Sequence, residues 1–103
     1  SKGAYFVAEN GGATVGQIMV TYEWSDWRNG VFWWLQSVYV EKAFRSQGVF
    51  KKLLTHAWEQ ARQEKNVCGF RLYVEAHNEP ARRAYQKLGF CLSHYQMFEQ
   101  VLP

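Results

Sequence analysis

The run VFWWLQSVYV, Val31–Val40, constrains this chain more than any other stretch. It is nearly continuously apolar, yet far shorter than the roughly 20 residues a membrane span needs. A strand with one wet face would alternate. This one reads as a central strand buried on both faces. It feeds a short polar loop and then a helical stripe. From Val49 to Ala61 the apolar residues are Val49, Phe50, Leu53, Leu54, Ala57, Trp58 and Ala61, which fall on one side of a helix. Lys51, Lys52, Glu59 and Arg62 take the other side. FRLYVEA, Phe70–Ala76, then returns to strand composition. A strand, a helix and a further strand in this order make a crossover connection.

Two hairpin signals precede the central run. AYFVAE (Ala4–Glu9) is short and strand-like, and NGG (Asn10–Gly12) supplies the positive-φ residues of a tight turn. TVGQIMVTYEW (Thr14–Trp24) is a longer strand, closed by the SDWRNG loop (Ser25–Gly30). After the crossover, Asn78 suits a helix N-cap, Pro80 the first turn and Gly89 the stop of a helix over Glu79–Leu88. FCLSHYQMFEQVL (Phe90–Leu102) reads as one or two closing strands with a bend near Ser93–Tyr95. The class is α+β: a mixed, mostly antiparallel sheet with two helices, in the order β-β-β-α-β-α-β(-β). At 103 residues the chain fits one domain, 1–103.

The chemistry concentrates at FRSQGVFKKLL, Phe44–Leu54. Glycine is a poor helix interior residue, yet Gly48 stands at the mouth of the helix beside Arg45, Ser46 and Gln47. Gly48 has two readings. It serves a turn, or it clears space over the unpaired first-turn N–H groups of Gln47, Gly48, Val49 and Phe50 so that a phosphate can sit there. Arg45, Lys51 and Lys52 add positive charge.

A second stretch, VEAHNEPARRAYQKLGF (Val74–Phe90), tips the balance. Together the two resemble the GNAT superfamily of acyl-CoA N-acyltransferases. The family's acyl-CoA loop, R/Q-x-x-G-x-G/A, is met by Arg45-Ser46-Gln47-Gly48-Val49-Phe50 with one departure. Its later motif, N-x-x-A-x-x-x-Y-x-x-x-G-F, is met by Asn78, Ala81, Tyr85, Gly89 and Phe90. The segment from Val20 to Val40 also looks like the middle strands of relatives that acetylate small amines, diamine-type enzymes among them. The resemblance implies acetyl-CoA as co-substrate and acetyl transfer to a small amine by direct attack. It places the pantetheine arm along Val38, Tyr39 and Val40, with the Val38 amide as oxyanion donor. It wraps the pyrophosphate with Arg45, Ser46, Gln47, Gly48, Val49, Phe50 and Lys51, sets Asn78 near the thiol arm, and makes Tyr85 the acid for the departing thiolate.

Three departures shape the expectation. Phe50 replaces a small residue, and on the helical count its ring faces the core. Gln36 stands where some amine-acetylating relatives carry a glutamate base, and an amide cannot take that proton. Glu23, Asp26 and His77 are the alternative bases; Glu23, Trp24, Asp26 and Gln36 are the candidate acceptor-binding residues. The family's opening strand and two helices have no counterpart, so the fold is expected to be shortened at its N-terminus. These departures support a second reading, an acyl-CoA-binding module with little or no catalysis.

Composition removes other classes. Cys68 and Cys91 form no CxxC, and no histidine stands at ligand spacing, so no metal is expected. A net charge of +3 suits a phosphorylated ligand and does not call for nucleic acid. No membrane span or signal peptide is legible, and the expected location is the cytoplasm. Exposed AYFVAE at a sheet edge, with uncovered aromatics, argues for a homodimer.

Overall fold

The protein is described here from a computed structural model covering residues 2–103. Strands β1 (Gly3–Asn10), β2 (Ala13–Ser25) and β3 (Gly30–Val40) come first. A 3-10 turn (Lys42–Phe44), helix α1 (Val49–Arg62), strand β4 (Val67–Arg71) and helix α2 (Glu79–Lys87) follow. The sheet order is β1-β2-β3-β4. The first two pairings are antiparallel and β3–β4 is parallel. This is the expected mixed α+β arrangement. The chain forms two compact units, one ending at Tyr73 and one spanning Val74–Pro103.

In the first unit, one sheet face buries α1. Ile18 and Val20 are fully buried, and Leu53, Leu54, Ala57 and Ala61 of the helix are buried as well. Complete burial of side chains of this size stabilises by roughly 1.5–3 kcal/mol each. Phe6, Tyr22 and Phe70 surround Trp33, with ring centroids about 6 Å away. The helix can approach because Gly16 lacks a side chain. A Cβ there would lie 2.9 Å from Val49 Cγ1 and 3.4 Å from Leu53 Cδ1.

Four expectations need correction. The fourth strand begins three residues earlier and ends five residues earlier than FRLYVEA suggests, because it lasts only as long as its ladder with β3, Val31↔Val67 to Trp34↔Arg71. Burial of β3 on both faces holds only for its first half; Gln36–Tyr39 are exposed. Trp58 lies at the rim of the helical stripe, 49% exposed, with its edge on Phe70. The closing strands do not form. Phe90–Leu102 carries no strand, and only the bend survives, with the Tyr95 N–H donating to Ser93 Oγ at 3.3 Å.

The second unit explains a motif by the capping of one helix. Asn78 Oδ1 caps α2 by accepting from the Ala81 N–H at 3.2 Å. At the other end Gly89 has φ 97°, the Gly89 N–H donates to the Gln86 carbonyl at 3.1 Å, and the Phe90 N–H donates to the Tyr85 carbonyl at 3.0 Å. That is a Schellman cap. Its usual apolar contact is supplied by the Phe90 and Tyr85 rings, 5.9 Å apart and edge to face.

The Gly16 contact gives a direct test. Gly16→Val inserts three carbons where there is no room for one, and overpacking of this kind costs about 1–3 kcal/mol. Urea unfolding should show that loss with an unchanged m-value; equal stability would mean that α1 rides further from β2 than described.

Candidate active site

The site begins with a mismatch in strand length. β3 runs to Val40, but its ladder with β4 stops at Trp34↔Arg71. Just past that point the β2–β3 register slips. Met19 pairs with Ser37 and Val20 with Leu35, so Gln36 is the extra residue of a β-bulge. Beyond the bulge Val38 pairs with Ile18 and Val40 with Gly16. The Glu41 N–H donates to the Val15 carbonyl at 2.8 Å. In an antiparallel ladder bonded and non-bonded pairs alternate, so Val38 and Val40 are the non-bonded ones. Their N–H and C=O groups therefore point away from β2, on the side where β4 has ended. One of them is taken: Arg45 Nε donates to the Val40 carbonyl at 2.9 Å.

Arg45 thus pins the next loop to the strand end. Gln47 tightens it by donating Nε2–H to the Ala43 carbonyl at 3.0 Å. Ser46 (φ 64°) and Gly48 (φ 80°) both lie in the left-handed region, which glycine reaches freely and serine only at a cost. Alternating left-handed residues turn successive amides toward one side, a concavity suited to an anion. Gly48 is the N-cap of α1 and brings no side chain to its first turn. A Cβ on Gly48 would meet nothing of the protein within 4 Å, so that space is open. A shallow depression of about 500 Å³ lies alongside, lined by Gly48, Lys51, Lys52, Thr55 and His56. Phe50 is half-buried, so its ring is neither deep in the core nor fully in solvent.

The other sheet face gathers two of the four acceptor candidates. Glu23 Oε1 accepts from Trp34 Nε1 at 3.0 Å and from Arg71 Nη1 at 2.8 Å. Gln36 Nε2 donates to Thr21 Oγ1 at 3.0 Å, and Thr21 pairs with Trp34. The Arg71 guanidinium lies 3.6 Å from the Phe32 ring centroid, a cation–π contact. Trp24 neighbours Glu23 along the strand and so points to the opposite face. Asp26 lies in the hairpin loop, where its carbonyl accepts from the Asn29 N–H at 3.2 Å. Sequence reasoning missed Thr21 and Arg71. Thr21 stands two residues from Glu23 and shares its face; a correctly placed β4 would have brought Arg71 to it.

In the second unit, Asn78 is committed through its oxygen to the α2 cap, and His77 donates its backbone N–H to Glu75 Oε2 at 2.8 Å. Burial raises the pKa of Tyr85 above its ordinary value of 10.0. Among the described residues no His, Cys, Asp and Glu side chains are grouped to hold a metal, and no helix is long and apolar enough to cross a membrane.

A family model, that of the acetyltransferase (GNAT) family, matches residues 1–90. The chain belongs to the GNAT family. It is 43% identical to a possible acetyltransferase from Clostridium difficile 630, whose crystal structure superposes with a TM-score of 0.91 over 99% of this chain and 67% of that one. It is 34% identical over 87 residues to the mycothiol acetyltransferase of Corynebacterium aurimucosum, covering 82% of this chain and 28% of that protein. The chain therefore spans under a third of the length of that curated relative. A ribosomal-protein-alanine N-acetyltransferase from Brucella melitensis biovar Abortus 2308, at 15% identity and a TM-score of 0.82, shares the fold. For a GNAT chain, the two sequence motifs now have a local physical description: a loop pinned by Arg45 and a helix closed by Gly89.

The raised Tyr85 pKa has a pH consequence. Folding favours the protonated phenol, so this contribution is fully present below pH 10 and is lost as pH rises through the higher folded-state value. Alkaline unfolding monitored by circular dichroism should show that component in the wild type and lack it in Tyr85→Phe. Identical alkaline profiles would remove Tyr85 as its source.

Proposed function

We propose that this GNAT chain binds acetyl-CoA and transfers its acetyl group to a small amine by direct attack, in the cytoplasm and as a homodimer. The observation that carries the reading is the outward-pointing backbone of Val38 and Val40 beside the left-handed loop at Ser46 and Gly48. Those residues fit the co-substrate: the outward groups of Val38 and the Val40 N–H face an amide-bearing arm, the Val40 carbonyl being held by Arg45, and Gly48 with Lys51 offers donors and charge to a pyrophosphate.

Acetyl-CoA supplies an activated thioester. The Val38 N–H donates to the carbonyl oxygen as the amine nitrogen attacks, where a fixed donor stabilises developing negative charge. Tyr85 is assigned the proton that the departing sulfur takes up; a phenol is protonated at neutral pH whether or not burial raises its pKa, so the role rests on nearness to the sulfur and not on acid strength. The acceptor ammonium must lose its proton before attack. Glu23 is poorly placed to take it, since its carboxylate already holds Arg71 and Trp34. Asp26 or His77 then takes the proton, or the amine arrives neutral.

The same engagement of Glu23, with an amide at Gln36, favours the second reading, an acyl-CoA-binding module of little activity. Thiol release across polyamines, amino acids and aminoglycosides separates the two: turnover with any amine supports the enzyme, and acetyl-CoA binding without turnover supports the module.

Gly48→Glu places a side chain and a negative charge in the open space at the helix start. Acetyl-CoA binding by isothermal titration should weaken at least tenfold, about 1.4 kcal/mol. Wild-type affinity would move the site elsewhere.

Tyr85→Phe keeps the ring against Phe90 and removes only the hydroxyl. Turnover should fall by about 10²–10⁴-fold with acetyl-CoA affinity nearly intact. An unchanged kcat would reduce Tyr85 to its part in the helix cap.

A further inference from the structure

The sheet face away from α1 carries a cluster that the transfer chemistry leaves unused, all of it within the unit ending at Tyr73. It builds up from Gly69, which pairs with Phe32. A Cβ on Gly69 would come within 3.1 Å of Phe32 Cε1, so the bare backbone makes room for that ring. The Arg71 guanidinium lies 3.6 Å from the ring centroid and is tied at one edge by Glu23. Glu23 in turn holds the Trp34 indole N–H. Trp34 packs on Tyr73 with ring centroids 4.5 Å apart, and Tyr73 is 62% exposed. An open aromatic surface therefore stands beside a fixed ion pair.

The polar groups keep bonding capacity in hand. Glu23 uses only Oε1, Arg71 only Nη1, and Gln36 gives Nε2 to Thr21. Glu23 Oε2, Gln36 Oε1 and the Nη2 and Nε donors of Arg71 have no partner among the described residues. Charge decides what can use them. The Glu23–Arg71 pair is neutral as a unit, and the hairpin beyond it adds Arg28, 5.6 Å from the Phe32 ring, and Asp26, again one charge of each sign. A polyamine drawn to Glu23 meets Arg71, and a carboxylate drawn to Arg71 meets Glu23. A hydroxyl group meets neither obstacle, because it donates to a carboxylate or amide oxygen and accepts from a guanidinium. Neighbouring hydroxyls on a ring suit the planar fork of Arg71, and the C–H face of such a ring packs on an exposed aromatic side chain.

We infer that this face selects the acceptor, and that the acceptor is an amine carried on a hydroxylated ring, an amino sugar, rather than an open-chain polyamine. The inference rests on the acetyl-transfer reading for its placement. Trp34 lies four residues before Val38, at most roughly 13 Å along the strand, a span that one or two sugar rings cover. Tyr73 and Arg71 are then the residues that set specificity: one receives the ring face, the other its hydroxyls.

The test reads binding apart from turnover. Glucosamine, its β-linked disaccharide, spermidine and cyclohexylamine are titrated into the 15N-labelled whole chain. The sugars should saturate and shift the Trp34 indole N–H. Spermidine and cyclohexylamine carry no hydroxyls and should bind roughly tenfold more weakly or worse, since a site built for hydroxyls is left unpaired by them. Tyr73→Ala removes the exposed ring, and Arg71→Lys keeps the charge and loses the fork. Each should weaken sugar binding roughly tenfold, with acetyl-CoA affinity and the amide spectrum otherwise kept. The absence of saturable sugar binding overturns the inference, as does spermidine binding as tightly as the sugars or sugar binding indifferent to both substitutions. Turnover that favours spermidine over glucosamine also overturns it, and leaves acetyl transfer standing. Sugar binding that both substitutions weaken, without turnover of any amine, upholds the recognition site and counts against acetyl transfer instead.

Discussion

The structure turns on the unequal partnering of β3. On its β2 side the strand is paired over its whole length; on its β4 side the ladder covers only its first half. Backbone polar groups seek partners, so a central strand that stops being paired is a place where something else can bind. The bulge at Gln36 sits at the transition. It lets the strand bend while Leu35 before it and Val38 after it stay opposite the buried Val20 and Ile18. Everything that makes this end of the sheet a candidate active site follows: the outward Val38 and Val40 groups, the arginine pinned to the strand end, and the left-handed loop that delivers the helix.

Much of this was legible in the sequence where the signal was periodic or local. The β1–β2 turn, the α1 stripe, the Asn78 cap and the Gly89 stop depend on residues within a few positions of one another, and the structure has them. What was not legible depends on partners. β4 has poorer strand composition in Val67–Gly69 than in Leu72–Val74, yet it forms over the first and not the second, because β3 is there to receive it. The tail has the composition and no ladder. Gln36 as a bulge is a property of two strands in register, which one strand's residues do not encode. Glu23 and Arg71 stand 48 residues apart and meet only after β2, β3 and β4 are assembled.

The same distinction separates the candidate site residues. Arg45 and Gln47 were expected to surround a phosphate. Here Arg45 Nε and Gln47 Nε2 hold the loop by bonds to Val40 and Ala43. Loop shape is thus held by side chains, which is compatible with the proposed use of its backbone amides. Lysine at position 45 would keep the charge and lose the planar donor that reaches a carbonyl while presenting its other nitrogens elsewhere.

The cap of α2 has a consequence for aim. Tyr85 is held at both ends: its carbonyl accepts the Phe90 N–H, and its ring meets the Phe90 ring. A phenol at the last turn of a helix would ordinarily fray with it. Here the turn is locked by a glycine four residues on, and the ring is braced by its neighbour in the cap. The seating of the ring is therefore a mechanical property of the Tyr85–Phe90 loop, in which Gly89 works as the hinge pin and Phe90 as the stop. Two residues that carry no reactive group thus hold the Tyr85 ring in place.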